Sequence, residues 1–158
     1  MILVDTSVLI SYFKGQENEA TKKFEKILTN NIPFGINKFI YQELLQGVSS
    51  EKDFNKLKEY LETQKFYDLK NGLNSYEESA KLYYQCRKSG VTIRSTIDLI
   101  IAQTAIENNL LLLHNDSDFT NMTKIITELK IYWFKGWSVP RFKKRLKLPK
   151  VLAFNSYL

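Results

Sequence analysis

Apolar residues recur along this chain in two rhythms, one short and continuous, the other spaced by helical turns. Ile2-Leu3-Val4 is a β-rich run, and beyond the polar Asp5-Thr6-Ser7 the apolar positions switch to helical spacing at Val8, Leu9, Tyr12 and Phe13. The local order is strand, polar turn, helix. Between Glu17 and Leu28, Ala20, Phe24, Ile27 and Leu28 share one helical face. Asn30-Asn31 closes that helix, and Ile32-Pro33-Phe34-Gly35-Ile36 predicts a second short strand. Asn37 can cap the next helix, Phe39 to Gln46, which Gly47 stops. Helices from about Ser50 to Thr63 and from Ser75 to Ser89 flank a weaker strand near Phe66-Tyr67-Asp68-Leu69. The stretch from Ile97 to Asn108 is helical again. Leu110-Leu111-Leu112-Leu113 then reads as a strand buried on both faces, as parallel strands are, and Ile131-Tyr132-Trp133 is a last weak strand.

Strands alternating with helices predict an α/β fold, a short and mostly parallel sheet flanked by helices. In such sheets ligands sit at the carboxyl ends of the strands. Asp5 and Asp116 follow predicted strands, while Glu43 and Asp98 lie in the early turns of helices whose N-termini point to the same edge. Four carboxylates are therefore expected to converge there.

Composition changes this picture in one respect, the kind of site it permits. At 158 residues, 44% hydrophobic and 25% charged, the chain suits one globular domain. A chain of this size buries roughly 68–70% of its unfolded surface, enough for a core without staples. Cys86 is the single cysteine and His114 the single histidine, which excludes an intramolecular disulfide and any Cys/His zinc cluster. A metal site must be built from oxygen. No apolar run reaches the roughly 20 residues that span a bilayer, and the first residues lack the basic region of a signal peptide. The expectation is a cytoplasmic protein with no membrane association.

The net charge of +6 is unevenly placed. Residues 1–132 carry 16 basic and 17 acidic side chains, net −1, whereas residues 133–158 carry seven basic and none acidic. The organisation expected is a domain over 1–133 and a basic C-terminal extension over 134–158.

Clustered carboxylates repel one another and raise one another's pKa unless something compensates them. Mg²⁺ or Mn²⁺, which prefer oxygen ligands, are the natural compensators. A centre of that kind can activate a water and stabilise charge on a phosphoryl oxygen during in-line displacement. Phosphodiester hydrolysis fits best. Each acid also has an ordinary role open to it: Asp5 as a helix N-cap, Glu43 as a solvated helix charge, Asp98 in a capping box with Ser95. Asp116 and Asp118 flank Ser117 in a turn, where Asp is common. The pattern carries more than any one member.

Four separated segments, Leu3-Val4-Asp5-Thr6-Ser7-Val8-Leu9-Ile10, Tyr41-Gln42-Glu43-Leu44-Leu45-Gln46-Gly47, Asp98-Leu99-Ile100-Ile101-Ala102 and Leu112-Leu113-His114-Asn115-Asp116-Ser117-Asp118-Phe119, closely resemble in order and spacing the motifs of PIN-domain ribonucleases. The nearest subgroup is similar to the VapC-type toxins of toxin–antitoxin modules. The resemblance covers about residues 1–133 and implies a PIN-like α/β/α sandwich. It further implies an Mg²⁺- or Mn²⁺-dependent endoribonuclease, the toxin of a type II system, with RNA as substrate, a cognate antitoxin across the groove and a homodimer as assembly. Phe39 and Tyr41, or Tyr83 and Tyr84, are candidates for the pairing surface. Asp5, Glu43, Asp98 and Asp116 match the catalytic, metal-binding acids. Asp118 is the neighbouring acid that can take the fourth place, ranked behind Asp116. Ser7, with Thr6, matches the small polar support after the first acid. Asn37 stands where many relatives cap with Ser or Thr, and His114 where Thr is frequent; His114 is read as a turn imidazole.

The basic tail mixes aromatics with cations, and Arg141, Lys143, Lys144, Arg145 and Lys147 are candidate contacts to single-stranded RNA. An amphipathic segment or a solvated extension accounts for it as well. The competing function is a non-catalytic or regulatory RNA-binding protein that keeps the fold and the acids.

Overall fold

The computed structural model describes residues 1–133. The elements follow in the order β1 (Ile2–Val4), α1 (Thr6–Phe13), α2 (Glu19–Thr29), β2 (Phe34–Ile36), α3 (Lys38–Gln46), α4 (Glu51–Glu62), β3 (Lys65–Phe66), α5 (Leu73–Lys88), α6 (Thr96–Glu107), β4 (Leu111–Leu113), α7 (Ser117–Met122) and β5 (Lys130–Ile131). The five strands form one sheet in the order β3-β2-β1-β4-β5. All four pairings are parallel, with Leu3 beside Gly35 on one side and Leu112 on the other.

Continuous apolar runs make central strands here because both faces of the sheet are covered. Leu3, Val4 and Leu112 are fully buried, and helical residues such as Phe13, Phe24, Ile40 and Ile101 close over them. The α/β/α sandwich expected from the alternation is therefore the observed fold. Gly35 has a packing reason: a Cβ there would stand 2.3 Å from the Lys65 carbonyl oxygen and 2.6 Å from the Tyr67 ring. Only a residue without a side chain lets β3 approach this closely.

Several helices end as the Asn and Gly positions predict. Asn31 and Asn109 hold φ of 50°, and Gly90 holds 78°. The residue after each returns a hydrogen bond to the carbonyl five positions back, Ile32 to Ile27, Val91 to Cys86 and Leu110 to Ala105. These left-handed caps aim the chain into the next strand or loop.

Two differences from the sequence reading bear on the site. The segment after Asp116 is not a bare turn but the six-residue α7, and Asp116 stands three residues past β4, separated by His114 and Asn115. The weak strands are shorter than expected, β3 covering 65–66 and β5 covering 130–131. No helix among the described residues is long and apolar enough to cross a membrane.

Candidate active site

The carboxyl edge of the sheet is assembled by side chains that tie neighbouring loops together. Asp5 follows β1 with extended backbone and caps α1, its Oδ2 accepting from the Ser7 N–H at 2.9 Å and from the Ser7 hydroxyl. The Ser7 oxygen accepts in turn from the Asn115 N–H at 3.0 Å, which fastens the loop after β4 to the turn after β1. Thr6 donates to Glu43 Oε2 at 2.7 Å and brings the acid of α3 to the same turn. Asn37 caps α3 by accepting from the Ile40 N–H at 2.9 Å, and its amide donates to Thr104 Oγ1 at 3.3 Å. That buried bond connects the start of α3 to α6, which carries Asp98. Ser95 caps α6, its hydroxyl oxygen accepting from the N–H groups of Ile97 and Asp98. Only this half of the expected capping box forms. The Asp98 carboxylate accepts no hydrogen bond among the described residues, so capping does not explain it.

The fourth corner is built differently. Asp116 caps α7, its Oδ1 accepting from the Asp118 N–H at 2.8 Å. Asp118 has a side chain only 6% exposed, and its Oδ2 accepts from the Arg94 backbone N–H at 3.0 Å and from Arg94 Nε at 3.2 Å. Arg94 Nη2 also lies 3.6 Å from Asp116 Oδ1, while the Arg94 side chain as a whole remains 71% exposed. Arg94 thus spans both acids of the Asp-Ser-Asp turn, and sequence reasoning missed it. His114 accepts from the Asp116 N–H through Nδ1 at 3.2 Å, and its ring packs on Phe119 at 5.2 Å. It is the turn imidazole expected, with its pKa lowered chiefly by burial.

Electrostatics shows the four acids as one field. The Asp98 carboxyl is pushed up from 3.8 to about 7, first by desolvation and then by the charges of Asp5, Asp116, Asp118 and Glu43. Asp5 rises to about 6, mainly through burial, opposed by its bonds to Ser7 and aided by the charge of Glu43. Among the described residues neither Asp5 nor Asp98 has an ion-pair partner. The acids couple through space without closing up: no three Asp, Glu, His or Cys side chains among the described residues form a ready metal-ligating group. In kind the donors suit a hard divalent cation, since all are oxygens and Asp5, Glu43 and Asp98 have no ion pair among the described residues. The tail candidates Arg141, Lys143, Lys144, Arg145 and Lys147 lie outside the described residues.

Known proteins are similar to this chain in sequence and in fold. Ribonuclease VapC11 of Mycobacterium tuberculosis is 25% identical over 126 residues, an alignment covering 79% of this chain and 93% of the relative. VapBC2 of Rickettsia felis, solved bound to a promoter DNA fragment, superposes with a TM-score of 0.62 at 23% identity over 84% of this chain and 98% of its own. DNA-bound VapBC of Salmonella typhimurium gives 0.62 at 15% identity over 83% and 96%. The family model described as PIN domain matches residues 2–125, a span that includes all four acids and the strands and helices that deliver them. With its parallel sheet, its acidic carboxyl edge and this match over most of its length, the chain belongs to the PIN domain family.

Proposed function

We propose that this chain is an endoribonuclease that hydrolyses RNA phosphodiester bonds with the help of Mg²⁺ or Mn²⁺, and that it is the toxin of a toxin–antitoxin module. The observation that carries the reading is Asp98, a carboxylate with no hydrogen bond or ion pair among the described residues, whose pKa is raised by burial and by the other acids. A structural acid would be satisfied; one waiting for a cation need not be. Asp5, Glu43, Asp98 and Asp116 are the groups that would hold the ion. When bound, the cation supplies an acidified water and charge neutralisation at a phosphoryl oxygen.

The remaining roles belong to the chain itself. Ser7 fixes one Asp5 oxygen and the Asn115 backbone, and Thr6 orients Glu43. Arg94 holds Asp118 through Nε, spans toward Asp116 through Nη2, and keeps its side chain 71% exposed, where an RNA phosphate would meet it. Because both bonds from Arg94 fall on Asp118 Oδ2, Asp116 is the more available fourth acid. The kinship with VapC ribonucleases supports RNA as substrate, and the VapBC complexes support an antitoxin partner. A homodimer would use the exposed face of α5, where Leu73, Tyr76 and Tyr84 stand 76%, 50% and 65% exposed.

The test is cleavage of RNA by partner-free protein with and without Mn²⁺. Chelation should abolish cleavage, and Asp98→Asn or Asp5→Asn should lower it about a thousandfold with the fold intact, as expected when a contribution of several kcal/mol is lost. Wild-type cleavage by the double variant would refute the assignment and leave the non-catalytic RNA-binding alternative.

A further inference from the structure

Beside the acids the same sheet edge opens into a cavity of about 310 Å³, of whose walls the reaction above uses only Asp116. Its walls include Lys23 from α2, His114, Asn115 and Asp116 after β4, and Trp133 after β5. Three features define what it can take. First, Trp133 is 72% exposed, a large aromatic surface left in water with the Lys23 ammonium 5.0 Å from its ring centroid. Second, the exposed Asn115 has its backbone fastened to Ser7 Oγ, yet its carboxamide makes no hydrogen bond among the described residues. Third, Asp116 is shared with the acidic site, so an occupant adjoins the acids.

Two carboxylates in the wall, Glu19 and Asp116, against the one cation Lys23 disfavour phosphate inside the cavity, while an uncharged planar ring with hydrogen-bonding edges meets Trp133 and the Asn115 carboxamide. We infer that the cavity is a nucleobase subsite, in which one unpaired base of the RNA substrate stacks on Trp133 while Lys23 leaves the ring for a flanking phosphate. The inference rests on the nuclease reading for the position of the scissile bond. It adds a contact that selects single-stranded RNA, since a paired base cannot leave its stack to enter.

The experiment uses the full chain carrying Asp98→Asn to suppress cleavage and Trp137→Phe to leave Trp133 as the only tryptophan. A short single-stranded RNA is titrated in, with a second oligonucleotide made abasic at one position at a time. Saturable quenching of Trp133 fluorescence is expected, weakened when one particular base is missing. Trp133→Ala should loosen RNA binding, read by anisotropy, roughly five- to a hundredfold, as loss of one base–aromatic stack implies. Trp133→Phe should recover part of it. In the otherwise wild-type enzyme, Trp133→Ala should raise KM with kcat nearly unchanged, because stacking is lost equally from ground and transition states. Trp133 is exposed enough that its removal leaves the fold alone. If Trp133→Ala binds and cleaves RNA like its parent, the subsite is overturned and the cavity is left to another occupant. Failure of the nuclease reading looks different: the wild-type protein does not cut RNA, whatever Trp133 reports.

Discussion

The two halves of the acidic edge solve the same electrostatic problem in opposite ways. Asp116 and Asp118 are compensated inside the chain: Arg94 binds Asp118 through its backbone and side chain and lies 3.6 Å from Asp116. Asp5 and Asp98 have no ion-pair partner among the described residues, Asp5 being held only by its bonds from Ser7, and both are pushed toward the neutral form, to about 6 and about 7. One half is stabilised by its charges and the other is strained by them. That difference separates Asp118, which Arg94 holds as scaffold, from the open acids Asp5 and Asp98, although all are aspartates within one fold.

The largest test of the contrast is catalytic. Asp98→Asn should remove about three orders of magnitude of RNA cleavage, whereas Asp118→Asn, which loosens Arg94 without emptying the open side of the site, should cost roughly 10–100-fold, as losses of supporting contacts around metal sites do. Mn²⁺ affinity measured by titration should fall steeply in the first variant and little in the second. Equal losses of metal affinity would show that Asp118 is itself a ligand and would erase the distinction.

A middle-sized effect lies in stability without metal. Neutralising Asp118 removes a buried charged acceptor from two donors and should lower Tm by several degrees. Neutralising Asp98 removes an unpaired charge and should raise Tm at pH 8. The two substitutions are chemically the same, so opposite signs can come only from the surroundings. A drop in both would mean that Asp98 has a structural partner after all.

How far the sequence alone reached follows the same division. The alternation of apolar runs was enough to locate all five strands, and six of the seven helices among the described residues; the central strands leave a continuous signature because both their faces are buried, while the edge strands β3 and β5, each half exposed, left only a weak one. The four acids were legible because charges at the ends of apolar segments are costly. Helix α7 was missed because six residues give no periodicity, although Asp-Ser-Asp before Phe119 was a usable N-cap signal. Arg94 was missed for a different reason. Its partner lies 24 residues away, and a single cation in a loop between Thr92 and Ser95 has no pattern that separates it from a solvated one. The cavity beside Trp133 was equally invisible, since α2, the loop after β4 and the end of β5 meet only in the fold.

The smallest effect, and the most direct reading of the strained half, is the pH dependence of the metal-free protein. Well below its ordinary value of 3.8, by about pH 3, Asp98 is protonated in both folded and unfolded chains and makes almost no difference to stability. Between its ordinary value of 3.8 and its folded value of about 7, the unfolded chain gives up the proton first, so folding stability falls as pH rises through that window. Above about pH 7 the full penalty is present. The Tm difference between Asp98→Asn and the parent should therefore be near zero at about pH 3 and widen in favour of the variant up to about pH 8, with roughly 2–4 °C for each kcal/mol relieved. Mn²⁺ should close the gap from the parent's side, since the ion binds the ionised carboxylate and stabilises only the chain that still has it. A gap that stays constant with pH would place the effect of the substitution in packing and remove the electrostatic basis for treating Asp98 as the centre of the site.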